Sequence, residues 1–293
     1  MLVDLFCGGG GFSEGARLAG CRTVLAVDCD AKALEVHEEN HPDAEHMCAE
    51  LPSEDVERRI AHHVERGAHL HASPPCQLLS QANRNCRSEE NPLSMVSWYI
   101  AFVLSTRPRS WTMEQVGVPL VRNFLASIRK MHPDVVDFVL VNASAYGVPQ
   151  DRKRLIAGPP HLISALRTHP PTIPKPRVRD VFPHPPGTHI QSTTTNTPCR
   201  GTTSTHRPLL PNEHIRSIDQ CCYTILARQA PWWCDEHGTR IRRLTPNECA
   251  SIQTFPSDYN FSQACNSVVQ RIVGNAVPPR LAAVIMAYVD PVA

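Results

Sequence analysis

Short apolar runs alternate with helix-like segments over the first half of this 293-residue chain, and no other feature limits its fold as strongly. Apolar runs of about five residues are typical of buried strands, whereas apolar residues three or four apart indicate helices. The alternation predicts an α/β class fold, doubly wound, with a mostly parallel sheet whose strand-end loops form the functional edge. The predicted strands are 2–6, 23–27, 68–72, 110–114 and 138–142, and the predicted helices are 11–18, 31–39, 94–104 and 121–130.

A proline- and threonine-rich stretch, residues 170–208, interrupts the alternation. Proline blocks helix interiors, so this stretch is not expected to form a helical core. Residues 152–209 carry nine Lys and Arg against one acid, whereas residues 1–65 carry fourteen acids against five Lys and Arg. We therefore predict that the middle of the chain faces a polyanion. Helical spacing resumes at 245–252 and 280–288, which indicates that the chain returns to the first domain.

Composition excludes several classes of protein. Hydrophobic residues make up 42% of the chain and charged residues 19%, which is too apolar for a disordered chain. The net charge of +1 gives no global basic field, so a nucleic acid would be held by a local patch. The twelve cysteines include no C-x-x-C pair, so we expect no metal. The chain has no secretory start and no apolar run near about 18 residues, so we expect an intracellular monomer without a membrane span.

Four glycines at 8–11 follow the first predicted strand and open the first predicted helix. A glycine turn at this point lets backbone N–H groups come close to a nucleotide-like cofactor. The dinucleotide fingerprint is excluded by spacing, because Ser13 or Glu14 occupies its third glycine position. Asp28, which ends the second strand, is the acid expected at ribose hydroxyls. A tight turn with an exposed acid is the alternative for this segment.

Cys76 follows Pro74 and Pro75 after the third predicted strand. On a stiff loop, positive charge nearby can lower the pKa of a thiol and leave it as a nucleophilic thiolate. A buried structural cysteine is the alternative, and for Cys76 alone it would be favoured. Three further segments reverse that preference, namely TMEQV at 112–116, QDRKR at 150–154 and VGNAVPP at 273–279.

In this order, the segments resemble the motifs of the cytosine-5 methyltransferase family over nearly the whole chain. The matching segments are DLFCGGGGFSEG at 4–15, PPCQ at 74–77 with Ser80, EQV at 114–116, QDRKR at 150–154, RRLTPNECASIQTFP at 242–256 and GNAVPP at 274–279. The resemblance implies a Rossmann-like, S-adenosylmethionine-dependent methyltransferase fold with a small irregular or β target-recognition lobe. It also implies DNA (cytosine-5-)-methyltransferase activity.

The resemblance implies a role for four catalytic residues. Cys76 would be the nucleophile that adds to carbon 6 of cytosine, which activates carbon 5 toward a methyl group. Glu114 would hydrogen bond or protonate N3 and hold the exocyclic amine. Arg154 would hold O2 of the base, and Arg152 would support the loop or the anionic ring. Gln115 replaces the family's usual asparagine, and its longer amide could misplace the neighbouring loop and slow turnover.

The resemblance also implies a binding site for S-adenosylmethionine. Asp28 would bind the ribose, Cys29 would lie beside the adenine, and Glu50 and Leu51 would contact the adenine amine and ring. An aromatic residue is more usual than Cys29, and aspartate is more usual than Glu50. The full implied set is Phe6, Gly8, Gly9, Gly11, Asp28, Cys29, Glu50, Leu51, Pro75, Asn275 and Ala276.

Duplex DNA hides carbon 6 of cytosine within the base stack, so the implied chemistry requires the target base to be flipped out. Residues 79–94 are polar and short in large apolar side chains, so we expect a lid that closes on DNA. An ordinary solvated loop is the alternative. The implied DNA-binding residues are Ser80, Arg84, Arg87, Arg200 and Arg207.

The family's target-recognition region lies between the segments matched here by QDRKR at 150–154 and RRLTPNECASIQTFP at 242–256. Here it would be residues 160–240, with a core of about 182–214, between catalytic segments 1–159 and 241–293. Seven threonines between positions 191 and 205 can supply phosphate and base-edge contacts. A flexible linker is the alternative. A region this small suggests a short DNA recognition sequence.

Two alternatives to a DNA methyltransferase stay open. One is the tRNA-methylating branch of the family, whose Cys-Phe-Thr hallmark is matched poorly by QCCYT at 220–224. The other is a catalytically silent DNA-binding relative, which the four implied catalytic residues disfavour. The favoured enzyme would be the modification half of a restriction system in a bacterial cytoplasm, with a cognate restriction endonuclease, or a viral or phage enzyme inside its host cell.

Overall fold

A computed structural model describes residues 1–75, 91–168, 174–192 and 215–289 of the chain. The strands are β1 (Leu2–Leu5), β2 (Thr23–Asp28), β3 (Glu45–Cys48), β4 (His69–Ala72), β5 (Trp111–Gln115), β6 (Asp137–Asn142), β7 (Lys153–Gly158), β8 (His189–Gln191), β9 (Ile215–Ser217), β10 (Trp232–Cys234) and β11 (Arg240–Arg243). The α-helices are α1 (Gly11–Leu18), α2 (Ala31–Asn40), α3 (Glu54–Glu65), α4 (Ser94–Thr106), α5 (Pro119–Met131), α6 (Pro160–Thr168), α7 (Val178–Val181), α8 (Pro246–Ile252), α9 (Asn266–Asn275) and α10 (Pro279–Ala287). A 3₁₀ helix spans Ala143–Tyr146.

Within the described residues, seven strands form one sheet in the order β3-β2-β1-β4-β5-β7-β6. The strands from β3 to β5 run parallel, whereas β7 runs antiparallel to both β5 and β6. The predicted doubly wound, mostly parallel class is therefore confirmed. The strand order reverses between β1 and β4, and at such a switch point the loops diverge and leave a crevice at the carboxyl ends of the strands.

Alternate strand residues enter two separate apolar clusters, one on each face of the sheet. Val3 and Leu5 of β1 pack with α3, α4 and α5, whereas Leu2 packs with α1, α6 and α10. Strand β7 repeats the pattern, because Leu155 joins the first cluster and Ile156 the second. Burial on both faces explains why the central strands read as continuous apolar runs rather than as alternating ones.

Two strands of the large sheet, β3 and β7, were not predicted from the sequence, and neither were helices α3, α6 and α9. Strand β3 lies at the sheet edge with its first three residues only partly buried, so it has no apolar run to detect. Helix α3 buries Val56, Ile60 and Val64, which are four residues apart in a strongly charged segment. Both elements are stabilised by packing more than by local composition.

A smaller antiparallel sheet, in the order β11-β10-β8-β9, forms from strands of three or four residues. Trp233 of β10 is fully buried and meets Phe182 edge-on at 5.4 Å between ring centroids. Its Nε1 donates to Glu248 Oε2 of α8 at 3.3 Å. The apolar cluster around Trp233 includes residues of α8 and α9, which anchors the small sheet to the returning part of the chain.

The longest helices in the described ranges, α4 and α5, have 13 residues each. A membrane-spanning helix needs about 20. Accordingly, none of the described helices is long and apolar enough to cross a membrane. The same part of the chain contains no group of three or more His, Cys, Asp or Glu side chains that could hold a metal ion.

Candidate active site

The loop after β1 turns sharply into α1. Gly8 and Gly10 have φ angles of 53° and 85°, in the left-handed region that favours glycine, and Phe6 has a φ of 55°. Among the described residues, no atom beyond the chain neighbours of Gly8 lies within 4 Å of where its Cβ atom would be, so this part of the structure leaves open space at Gly8. A ligand can therefore come close to the backbone at Gly8.

The other side of the same loop packs tightly against the returning part of the chain. A Cβ atom at Gly9 would overlap the side chain of Ile272 in α9. One at Gly11 would overlap the carbonyl of Val277 and crowd Ala276. The end of α9, where the sequence predicts cofactor contacts from Asn275 and Ala276, therefore lies against the glycine loop.

Asp28 at the end of β2 is fixed by two backbone N–H groups. Gly8 N–H donates to Oδ2 and Asp30 N–H donates to Oδ1, both at 2.8 Å. Burial raises the pKa of Asp28, and the Gly8 N–H and the Arg271 guanidinium partly offset this effect. Arg271 also forms an ion pair with Asp30. Asp28 is thus a half-buried carboxylate tied directly to the glycine loop.

The predicted adenine contacts lie beside Asp28. Ala49 N–H donates to the Asp28 carbonyl at 3.1 Å, which brings the segment after β3 next to the end of β2. Cys29 is exposed overall. The part of its thiol that is buried, together with the Asp28 and Glu50 carboxylates, raises the pKa of the thiol. Leu51 is half-buried against the main core. Contact of these residues with a cofactor stays a prediction.

A buried polar relay runs beneath the glycine loop. Ser13 Oγ donates to Asp4 Oδ2 at 2.7 Å, His37 Nε2 lies 2.9 Å from Ser13 Oγ, and His46 Nε2 lies 2.8 Å from His37 Nδ1. Burial raises the pKa of Asp4 to about 7, although the bond from Ser13 opposes the shift. The sequence analysis missed this relay, since nothing in the spacing of its four members predicts contact.

The segment between β4 and Cys76 is held by two neighbouring strands. Ser73 N–H donates to the Leu5 carbonyl at 3.1 Å, and Gln115 Nε2 donates to the Pro74 carbonyl at 3.0 Å. The amide of Gln115 therefore braces the segment that leads to Cys76, while its effect on turnover stays a prediction. Pro75 is exposed. The remaining predicted residues of this loop and of the target region lie outside the described residues, namely Cys76, Ser80, Arg84, Arg87, Arg200 and Arg207.

Glu114 and Arg154 meet at the carboxyl end of β5. Arg154 Nε lies 2.8 Å from Glu114 Oε1, and the two side chains are 14% and 9% exposed for Arg154 and Glu114, respectively. The antiparallel pairing of β5 with β7 sets Glu114 opposite Ile156 and so brings Arg154 within reach. A largely buried ion pair of this kind is costly to desolvate, which favours a role in a site over a role in stability alone.

Arg152 has a different environment from Arg154. It is 1% exposed, and its guanidinium donates to the carbonyls of Ile225 at 3.2 Å, Gly274 at 3.0 Å and Ala276 at 3.0 Å. These carbonyls belong to the connection between β9 and β10 of the small sheet and to the end of α9. Arg152 therefore joins three separate parts of the chain around the predicted cofactor residue Ala276.

Two buried glutamines extend this junction. Gln150 Nε2 donates to Gln253 Oε1 at 2.8 Å, and Gln150 Oε1 accepts from Ile225 N–H at 2.8 Å. Gln253 Nε2 donates to the Val273 carbonyl at 2.7 Å. The sequence analysis did not single out Gln253, although it lies within the RRLTPNECASIQTFP segment.

The small sheet presents arginines that the sequence analysis also missed. Strand β11 is an exposed edge strand, and the guanidinium carbons of Arg240 and Arg243 lie 5.0 and 4.5 Å from the ring centroid of Trp232. Neither arginine has a carboxylate partner within the described residues, whereas Arg242 pairs with both oxygens of Glu248 at 2.8 Å. The run RIRR in the sequence was the available signal.

Comparison with known proteins gives consistent results. The family model for C-5 cytosine-specific DNA methylase matches residues 1–159 and 184–289. The type II methyltransferase M.MthTI of Methanothermobacter thermautotrophicus is 26% identical over 96% of this chain and 94% of its own length. M.XorII of Xanthomonas oryzae is 32% identical over 60% of this chain, and the match spans 43% of that relative.

Solved structures show the same fold at low identity. S. pombe Dnmt2 methyltransferase superposes with a TM-score of 0.65 at 15% identity, covering 99% of this chain and 98% of the other. The Entamoeba histolytica methyltransferase EhMeth gives a TM-score of 0.67 at 13% identity, covering 98% and 97%. With the family model matching most of its length, the chain belongs to the C-5 cytosine-specific DNA methylase family.

Proposed function

We propose that this protein is a DNA cytosine-5 methyltransferase that transfers a methyl group from S-adenosylmethionine to a flipped-out cytosine in duplex DNA. The observation that carries the proposal is the Glu114–Arg154 ion pair beside the segment that Gln115 braces just before Cys76. A carboxyl group can face N3 and the exocyclic amine of cytosine while a guanidinium donates to O2. The names of the relatives, type II methyltransferases, support the same activity.

In the proposed reaction, the Cys76 thiolate forms a bond to carbon 6 of cytosine, and the electrons of the 5,6 double bond become available at carbon 5. Carbon 5 then forms the new bond to the methyl group, whose bond to the sulfonium sulfur of S-adenosylmethionine would break, so that S-adenosylhomocysteine would be the leaving group. A base or water removes the proton from carbon 5, the 5,6 double bond re-forms, and the bond between the Cys76 sulfur and carbon 6 breaks. The thiolate is regenerated, so the enzyme is unchanged after each turnover.

The described residues have separate roles in this proposal. Glu114 holds a proton or hydrogen bond at N3, which stabilises negative charge that develops in the ring. Arg154 orients Glu114 and binds O2 of the base. Arg152 does not reach the base in this proposal. It is a positioning residue that fixes Ala276 and the β9–β10 connection at Ile225 through their carbonyls.

The residues around the glycine loop fit an adenosine-containing cofactor. Open space lies at Gly8, and the Asp28 carboxylate is already oriented by two N–H groups at the end of the neighbouring strand. S-adenosylmethionine, when bound, supplies the electrophilic methyl group. Asp28 would accept hydrogen bonds from ribose hydroxyls, and the remaining predicted contacts are Phe6, Gly9, Gly11, Cys29, Glu50, Leu51, Pro75, Asn275 and Ala276.

Duplex DNA is the proposed partner, read by a target-recognition region at residues 160–240 between catalytic segments 1–159 and 241–293. Most of the small sheet lies in this region, and its edge strand β11, which crosses the boundary at residue 240, carries Arg240 and Arg243 on an exposed surface. Ser80, Arg84, Arg87, Arg200 and Arg207 are proposed as further DNA contacts. The proposed setting is a restriction-modification system inside the cell, with the enzyme acting as a monomer and a restriction endonuclease as its counterpart.

The test is transfer of labelled methyl from S-adenosylmethionine to a long duplex DNA of mixed sequence, followed by mapping of the methylated bases. Parallel reactions contain Cys76→Ala, Glu114→Gln or transfer RNA. The proposal expects 5-methylcytosine in DNA and its loss in the Cys76 variant. Label in transfer RNA alone would contradict it in favour of an RNA substrate, and cofactor binding without any transfer would indicate a silent relative.

A further inference from the structure

A chain of buried hydrogen bonds joins β4 to β5. Ser110 Oγ lies 2.8 Å from His69 Nδ1, and His69 Nε2 lies 2.8 Å from Thr112 Oγ1. The same Thr112 hydroxyl lies 2.8 Å from His71 Nδ1, and His71 Nε2 lies 3.0 Å from Ser73 Oγ. The chain therefore runs from the amino end of these two strands to their carboxyl end, where the proposed chemistry takes place.

The two imidazole rings of this hydrogen-bond chain are deeply buried, which disfavours their charged forms. His69, His71 and Thr112 are 3%, 0% and 0% exposed. Burial lowers the pKa of His69 to about 3 and that of His71 well below its usual value, so each ring has one N–H and one acceptor nitrogen. The Thr112 hydroxyl has one proton, so it donates to one ring and accepts from the other. Loss of this hydroxyl would leave both rings without a partner at that position.

The carboxyl ends of β4 and β5 both lead to proposed catalytic residues. Ser73 comes just before Pro74 and Pro75, which precede Cys76 in the sequence, and Thr112 is two residues before Glu114 on β5. The Tyr99 hydroxyl, from α4, reinforces the link because it lies 3.0 Å from the Leu70 carbonyl and 2.9 Å from the Thr112 carbonyl.

Helix α1, which follows the glycine loop, also contacts the histidines of this hydrogen-bond chain. The ring of Phe12 in α1 stacks on His71 with 3.3 Å between centroids and 6° between planes. It also stacks on His69, at 6.4 Å and 12°. The His71 ring is therefore restrained by packing against Phe12 as well as by hydrogen bonds.

We propose that Thr112 is a positioning residue, which acts with His69, His71 and Ser73 to fix the carboxyl end of β4 against β5. It thereby sets where Glu114 stands relative to the segment that leads to Cys76. The inference rests on the proposed function, and it concerns the alignment of two proposed catalytic groups rather than binding of the cofactor. Gln115, which bonds to Pro74, is a second and independent brace between the same two strands.

The test compares Thr112→Val, which keeps the shape but removes the hydroxyl, with Thr112→Ser, which keeps the hydroxyl. Thr23→Val is the matched control, because Thr23 is a buried strand threonine whose hydroxyl has no hydrogen-bond partner within the described residues. For each protein, methyl transfer to DNA gives kcat and KM, calorimetry gives the Kd of S-adenosylmethionine, and thermal unfolding gives Tm.

We expect kcat of Thr112→Val to fall by about 10- to 100-fold, because small misplacements of reacting groups have effects of this size. The cofactor Kd should change by less than about twofold, since no uniform binding contact is removed. Thr112→Ser and Thr23→Val should keep the parent kcat. Should Thr112→Val fail to fold, Ser73→Ala cuts the last link of the chain and should lower kcat without changing the cofactor Kd.

A Thr112→Val protein with the parent kcat would overturn the inference, as would a Thr112→Ser protein as slow as Thr112→Val. A parallel rise in the cofactor Kd would also overturn it, because it would indicate general structural loss. A parent protein with no methyl transfer would overturn the proposed function and this inference with it. An active parent matched by its Thr112→Val variant would overturn the inference alone.

Discussion

The carboxyl edge of the large sheet and the small four-stranded sheet are built by different means. At the large sheet, buried side chains from neighbouring strands bond directly to one another, as in the His69–Thr112 and His71–Thr112 pairs. In the small sheet, short strands depend on the buried Trp233, and β11 exposes its arginines. The relative positions of the proposed catalytic side chains therefore depend on the order of the strands in the large sheet. The surface of the small sheet depends instead on the exposed residues of its short strands.

The two regions are joined by the buried side chains of Gln150, Arg152 and Gln253. These residues bond to Ile225 in the connection between β9 and β10 and to the end of α9. The end of α9 also packs against the glycine loop. One junction therefore fixes both the β9–β10 connection of the small sheet and one wall of the proposed cofactor site.

The largest expected effect comes from breaking this junction. Arg152→Met removes the donor to three carbonyls, and leaving buried acceptors unsatisfied should lower the free energy of unfolding by about 3 kcal/mol or more. Methyl transfer should be lost with it. Denaturant unfolding measures the change, and Arg58→Met on exposed α3 is the control that should be nearly neutral. Parent-like stability of Arg152→Met would mean that the two regions are joined elsewhere.

A second prediction concerns the polar interior of the large sheet. The folded-state pKa of Asp4 is about 7, above its ordinary value of 3.8, so folding takes up a proton between these values. Asp4 therefore makes the parent progressively less stable as the pH rises from about 4 to about 7. Asp4→Asn lacks this dependence, so its stability relative to the parent should increase by about 2–3 kcal/mol from pH 5 to pH 8.

Urea unfolding at the two pH values checks this prediction, with Asp55→Asn on exposed α3 as the control. The surroundings of Asp4 contain other titratable groups, namely Asp28, Cys7, Tyr99, Tyr259, His37 and His46. Burial raises the pKa of Cys7, Tyr99 and Tyr259 well above their usual values, so these groups stay protonated from pH 5 to pH 8 in both proteins, and the difference between the two proteins reports mainly on Asp4. A difference that does not change with pH would show that Asp4 titrates normally.

The smallest expected effect belongs to the small sheet. Arg240→Gln and Arg243→Gln should each reduce the slope of log affinity for DNA against log salt by about 1, with little effect on stability. Arg242→Gln is the control on the same strand, because its guanidinium is already paired with Glu248 and should change the slope less. Equal slopes in all three variants would remove β11 from the proposed DNA surface.

Much of the fold could be predicted from the sequence because the central strands are buried on both faces. The predicted helix at 11–18 coincides with α1, and the other predicted elements differ from the observed ones by a few residues at their ends. Strand β7 was missed, because it runs antiparallel and begins with the charged pair Lys153 and Arg154. Nothing in local composition indicates that a strand enters the sheet in the reverse direction.

The site was predictable in part. The resemblance to a family predicted roles for Glu114 and Arg154, but only the antiparallel pairing of β5 with β7 accounts for their contact. Their separation in sequence carries no information about it. The different environments of Arg152 and Arg154 and the bond from Gln115 to Pro74 likewise depend on tertiary packing. Contacts made by Cys76 with a base stay a prediction.

Covalent trapping of DNA tests most directly whether Cys76 is the nucleophile that bonds to cytosine. Duplex DNA of mixed sequence, synthesised with 5-fluorocytosine in place of cytosine, is incubated with the protein and S-adenosylmethionine. Fluorine at carbon 5 cannot leave as a proton does, so the sulfur–carbon bond should persist. We expect a denaturation-resistant protein–DNA complex whose cross-link maps to Cys76. Methylation of ordinary DNA without any such complex, or a cross-link at another cysteine, would contradict it.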